Sequence, residues 1–222
     1  MPEVIFNGPE GRLEGRYQAG AGPEAPMALI LHPHPAFKGT MNNRIVFGLY
    51  QLFAKRGFAV MRFNFRGVGR SQGEYDRGEG ELSDAASALD WLQATYPNAG
   101  HCWVAGYSFG AWIGMQLLMR RPEIFSFISV SAPAKDYDFT FLAPCPSSGL
   151  FVHGAEDTAV PVDSVRKLTH KLQQQRDIVI DLDSVAGANH YWNNAAHLEA
   201  MLGHVGDYVD RRMQAPMAAV AE

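Results

Sequence analysis

Three residues of the types that cooperate in nucleophilic catalysis stand just beyond apolar runs of this 222-residue chain. Ser108 follows HCWVAGY, Asp157 lies three residues past SGLFVHG, and His190 lies five residues past IVIDLDSV. A serine hydroxyl attacks poorly unless a base takes its proton. Histidine suits that task near neutral pH, and a carboxylate fixes its tautomer and stabilises the imidazolium. Glu156 adjoins Asp157 and is the rival acid, while Asp181 and Asp183 fall within or at the end of an apolar run. His197 lies seven residues beyond His190, at the expected start of a helix, where capping is the plainer role. His32 and His34 form a His-x-His pair that could bind a metal. The proline between them and the lack of a second cluster argue against it, so no metal or cofactor is expected. These two and His153 are expected to hydrogen-bond loop backbone.

Ser108 sits between Gly106 and Gly110, where an apolar run gives way at once to a helix-compatible one. A sharp strand-to-helix turn would lift the hydroxyl clear of a sheet, and side chains at 106 and 110 would collide with the neighbouring strand and helix.

The elements around these residues follow from apolar periodicity. Val4 to Asn7 and Leu13 to Gln18 read as two strands about a turn at 8–11. MALILH (27–32), FAVMRFNF (58–65), HCWVAGY (101–107), FSFISVSA (125–132), SGLFVHG (148–154) and IVIDLDSV (178–185) read as further strands. Helices are predicted after Asn43, from Ser83, over 109–121, over 162–176 and over 197–213, with a frayed tail at 214–222. Strands alternating with helices predict one α/β domain, 1–213, with a mostly parallel sheet covered on both faces. In such sheets ligands sit beyond the carboxyl ends of the strands, where all three reactive residues fall.

Composition narrows the class. The charged fraction is 19% and the formal net charge −4, which leaves no basic footprint for nucleic acid. Cys102 and Cys145 are too few for a disulfide framework and are expected to be reduced and buried. The first residues lack the apolar core of a secretory signal, and no apolar run is long enough to span a bilayer. A cytoplasmic location is expected, and a homodimer is the default assembly.

Taken together, GYSFG (106–110) between strand and helix, with Asp157 and His190 in that order, resembles the α/β-hydrolase family. NFRGVGRSQG (64–73) is similar to that family's D-x-R-G-x-G-x-S loop, with Asn64 in place of the acid. HGAEDTAVP is similar to its acid-bearing loop. LHPHPAFKGTMNN (31–43) resembles the loop of small bacterial members near the dienelactone hydrolases and Xaa-Pro peptidase-like proteins. The resemblance spans roughly 27–210 and implies a sheet of about eight strands with catalytic Ser108, Asp157 and His190. It also implies two oxyanion N–H donors. One is Phe109. The other comes from the loop after MALILH, where Pro33 and Pro35 have no N–H to give, leaving His34 or Ala36. Alignment with the family's Leu-His-Gly favours His34. Phe37, Met41, Tyr107 and Trp192 are the expected substrate contacts. Only 133–147 occupies the place where many relatives insert a lid, so the cleft should be open to small esters. The expected activity is that of a carboxylesterase on short-chain esters. Thioester or peptide cleavage on the same triad, or ligand binding without catalysis, are the alternatives.

Overall fold

The computed structural model describes residues 2–214. Strands β1 (Glu3–Gly8) and β2 (Gly11–Gln18) form a hairpin ahead of the alternating part. There follow β3 (Met27–Leu31), α1 (Arg44–Lys55), β4 (Ala59–Phe63), α2 (Glu79–Thr95), β5 (Cys102–Tyr107) and α3 (Phe109–Leu118). Then come β6 (Ile124–Val130), β7 (Gly149–Gly154), α4 (Val162–Gln173), β8 (Ile180–Val185) and α5 (Ala195–Gln214). All eight strands join one sheet in the order β1-β2-β4-β3-β5-β6-β7-β8. The pairs β1·β2 and β2·β4 are antiparallel and the rest parallel, so β3 to β8 all point their carboxyl ends to one edge.

Strands β3 and β5 are apolar at every position because both faces of the sheet are covered. Met27, Leu29, Cys102 and Val104 point into one core with α2, α3 and α4, and Ala28, Ile30, Trp103 and Ala105 into another with α1 and α5. Both cysteines are buried and unbridged, and burial pushes the Cys102 thiol up to about 12. Between β6 and β7 the chain makes only a short 3₁₀ turn, Thr140–Leu142, so the carboxyl edge carries no helical cap. Among the described residues no helix is long and apolar enough to cross a membrane.

Several boundaries differ from the sequence expectation by two to four residues. Helix α2 begins at Glu79 rather than Ser83, because the buried Glu81 carboxylate accepts the N–H groups of Gly78 at 2.7 Å and Asp76 at 2.9 Å. That reach-back turns the glycine-rich GEGE into a helix start. Helices α3 and α4 stop at Leu118 and Gln173, short of 121 and 176, and α5 begins at Ala195, two residues before His197. The expected frayed tail starts at Gln214, which α5 still includes, and its remainder, 215–222, lies outside the described residues.

Candidate functional site

Ser108 lies between β5 and α3 with φ 53° and ψ −118°, a left-handed conformation that costs a non-glycine residue about 1–3 kcal/mol. Its N–H donates to Val130 O at 2.9 Å, which pins the turn to β6. The flanking glycines have a steric cause. A Cβ at Gly106 would stand 2.3 Å from Gly110 O, and one at Gly110 would stand 2.4 Å from Leu31 O. Strand and helix therefore pack backbone to backbone, and the serine is left projecting from the sheet edge.

The three residues singled out by the sequence meet there. His190 Nε2 lies 3.2 Å from Ser108 Oγ, and His190 Nδ1 lies 2.7 Å from Asp157 Oδ2. With Nδ1–H donating to the carboxylate, Nε2 is left free to accept from the serine hydroxyl. Asp157 is buried, its other oxygen accepts Val160 N–H at 2.7 Å, and His153 Nε2 lies 3.2 Å from Oδ2. Burial alone would raise this carboxyl. The hydrogen bonds from His153, His190 and the Val160 amide prevail and hold it well below the ordinary carboxylate range.

The rivals stand elsewhere. Glu156 is exposed, Asp181 pairs with Arg211 at 2.9 Å, and Asp183 pairs with His204 at 3.0 Å. His197 lies in the first turn of α5, beside Gly187. His153 also meets Val160 O at 2.8 Å, the expected backbone contact, but its hold on Asp157 was not legible in the sequence. His32 is fully buried, with Nδ1 2.6 Å from Pro33 O and Nε2 accepting Phe65 N–H at 3.0 Å.

Burial of His32 has a consequence for pH. Its ring is pushed down to about 4, from about 6.5 in an unfolded chain. Between those values only the unfolded chain takes up the proton, so stability is complete above pH ~6.5 and falls as the pH drops towards ~4, by about 3 kcal/mol in all. Burial lowers His34 and His101 too, which adds to the same trend. Urea midpoints measured from pH 7 to 4.5 should fall less steeply in His32→Gln than in the wild type. Equal slopes would contradict the assignment.

The hydroxyl opens into a cleft of about 440 Å³ lined by Phe37, Tyr107, Phe109, Tyr137 and Tyr191, with Asp136 and Lys38 among its polar residues. Two expected substrate contacts are corrected. Met41 is buried, its N–H donating to Asn64 Oδ1 and its carbonyl accepting from Arg62. Trp192 is wholly buried, with Nε1 donating to Ser131 Oγ at 3.0 Å. Its φ of 54° turns the indole into the core between sheet and α5, although its neighbour Tyr191 lines the cleft. Phe37 and Tyr107 do line the cleft, and Tyr107 has a second part: its hydroxyl donates to His190 O at 3.0 Å. Arg44, not foreseen, hydrogen-bonds the carbonyls of Tyr191 and Trp192 and so holds the same loop from α1.

On the opposite side, His34 Nδ1 accepts Ala36 N–H at 3.1 Å, its Nε2 lies 3.0 Å from Tyr75 Oη, and its ring packs on Phe109. Asn64 also finds an explanation. It donates to Glu14 Oε1 at 2.6 Å, and Glu14 accepts Arg70 N–H at 2.8 Å. The carboxylate that Asn64 lacks is thus supplied from β2.

A lidless, mostly parallel sheet with a serine on a strained elbow, hydrogen-bonded to histidine, defines a serine hydrolase of the α/β-hydrolase fold. The chain belongs to the X-Pro dipeptidyl-peptidase (S15) family, whose model matches residues 18–200. A protein of unknown function from Agrobacterium tumefaciens, grouped with the alpha/beta hydrolases, is 59% identical with a TM-score of 0.92, over 96% of each chain. An alpha/beta serine hydrolase without a lid from Xanthomonas campestris is 28% identical with a TM-score of 0.85, over 97% of this chain and 96% of its own. An uncharacterized protein of Rickettsia prowazekii is 51% identical, covering 86% of this chain and 82% of its own length.

Proposed function

We propose that the chain is a carboxylesterase acting on short-chain esters. The reading is carried by the hydrogen-bonded series Asp157–His190–Ser108 at the floor of an open cleft. Ser108 Oγ attacks the ester carbonyl while His190 Nε2 takes its proton, and Asp157 keeps Nδ1–H oriented and stabilises the imidazolium. The oxyanion needs two N–H donors. Phe109 is the first residue of α3, so its N–H has no acceptor within the helix. On the facing loop the ring of His34 already takes Ala36 N–H, which leaves the His34 N–H as the second donor. His190 then returns its proton to the departing alkoxide. Water, activated by the same imidazole, cleaves the acyl-enzyme.

The open edge favours a small ester over a substrate that must be enclosed. A second reading, cleavage of a prolyl amide, is favoured by the family match and by the Asp136 carboxylate in the cleft, which could take a substrate amine. Kinetics on matched acetyl ester, acyl thioester and prolyl amide substrates separate the readings. The ester should show the highest kcat/KM, by about 100-fold or more over the amide, since discrimination of that size separates well-fitted from ill-fitted substrates. A preference for the amide would overturn the esterase assignment.

A further inference from the structure

The cleft shares one lining residue with a neighbouring cavity. Tyr137 lines the cleft on one side, and on the other lines a second cavity of about 310 Å³ between residues 134–143 and α4. Among the described residues it is the one that borders both. The second cavity has an apolar part made by Phe139, Leu142, Leu168 and Leu172, which suits a hydrocarbon chain, with Lys167 and Lys171 among its polar residues. Tyr137 is thus the residue at which the cleft and this second cavity adjoin.

Tyr137 is held in this dividing position. Its N–H donates to Pro133 O at 3.0 Å, its ring packs on Trp112 at 4.4 Å between centroids, and it meets the ring of Phe109, the residue after Ser108, edge-on with centroids 6.1 Å apart. Trp112 Nε1 in turn donates to Asp138 O at 3.0 Å, fastening the segment that bears the ring to α3. A ring so anchored acts as a wall. The segment lies where a lid would be inserted, and here it contributes Pro133, Asp136 and Tyr137 to the cleft wall.

We infer that Tyr137 sets the length limit of the substrate: it ends the room for one hydrocarbon arm of the ester, and the cavity behind it takes a longer arm once the ring is removed. This rests on the esterase reading. The phenol bears on chain length and has no part in bond cleavage, so its removal changes which esters are cleaved.

The test is kcat/KM across two series, 4-nitrophenyl esters from acetate to decanoate and acetate esters from ethyl to octyl alcohol, for wild type, Tyr137→Ala, Tyr137→Leu and Tyr137→Phe. In the wild type, kcat/KM should fall steeply between the butanoate or butyl ester and the octanoate or octyl ester. Tyr137→Ala should raise the octyl-to-ethyl or octanoate-to-acetate ratio in one of the series by about 10-fold or more, the gain expected from burying two or more methylenes. Tyr137→Leu, which keeps a core-sized apolar side chain, should raise the same ratio less and serves if the alanine variant does not fold. Tyr137→Phe should keep the wild-type ratio. An active variant series with unchanged ratios would overturn the length limit and leave the esterase reading standing. A wild type that cleaves no ester in either series would overturn both.

Discussion

Ser108→Ala is expected to lower turnover of an activated acetate ester by about 10⁶-fold, the loss seen where a serine nucleophile is removed from an intact triad. The change deletes one atom, Oγ, whose hydrogen bond is to His190 Nε2 at 3.2 Å. It leaves Asp157, His190 and the backbone donors in place, so a residual rate above the uncatalysed reaction should persist. Stability should move the other way in Ser108→Gly. At φ 53° the cost comes from the Cβ, and alanine keeps it while glycine does not. Ser108 makes no side-chain cap to α3, so nothing is lost there. After allowing for the greater freedom of glycine in the unfolded chain, a net gain of about 1 kcal/mol remains, or roughly 2–4 °C in Tm for a protein of this size. Thermal melts of the three proteins check this, and a glycine variant less stable than wild type would show that the elbow is not strained. Inactivity with added stability is the signature of backbone strain kept for chemistry.

Asp157→Asn should cost about 10⁴-fold in kcat with little change in KM, through the tautomer of His190. Asp157 accepts on both oxygens: Oδ1 takes Val160 N–H at 2.7 Å, and Oδ2 meets His190 Nδ1 at 2.7 Å. An asparagine has one oxygen. If that oxygen keeps Val160, the amide N–H₂ faces His190 Nδ1, which must then accept. The proton moves to Nε2, and the base for Ser108 is gone. The same mismatch falls on His153, 3.2 Å from Oδ2, so a stability loss of about 1–3 kcal/mol accompanies the change. Glu156→Gln, one residue away and exposed, should leave kcat within about 2-fold, as surface changes away from such networks do. Steady-state kinetics on the two variants distinguish the neighbouring acids. Comparable losses in both would assign the role wrongly.

The contrast between these residues and the cleft walls shows what a sequence conveys. Ser108, Asp157 and His190 were legible because each follows a strand of one parallel sheet, and parallel strands bring their ends to one edge whatever the loops do. The glycines at 106 and 110 were legible because close backbone packing leaves a residue type as its trace. Met41 and Trp192 were misplaced because direction within an irregular loop depends on single dihedrals. At Trp192 one left-handed φ of 54° sends the ring inward while Tyr191 stays at the cleft. Tyr137 and Arg44 left no trace because their parts depend on contacts across the fold. Arg44 reaches the carbonyls of 191 and 192 from a helix at the other end of the chain. The start of α2 was hidden for a related reason, since a buried Glu81 overrides the reading of a glycine-rich stretch as loop.

The central claim is that Ser108 is the nucleophile and His190 its base. Labelling with a fluorophosphonate, followed by intact-mass analysis and peptide mapping, tests it most directly. One adduct per chain on Ser108 is the expected result, with labelling slowed by at least about 100-fold in His190→Ala, the scale of general-base assistance. Modification at a different serine, or labelling of Ser108 at an undiminished rate without His190, would contradict it.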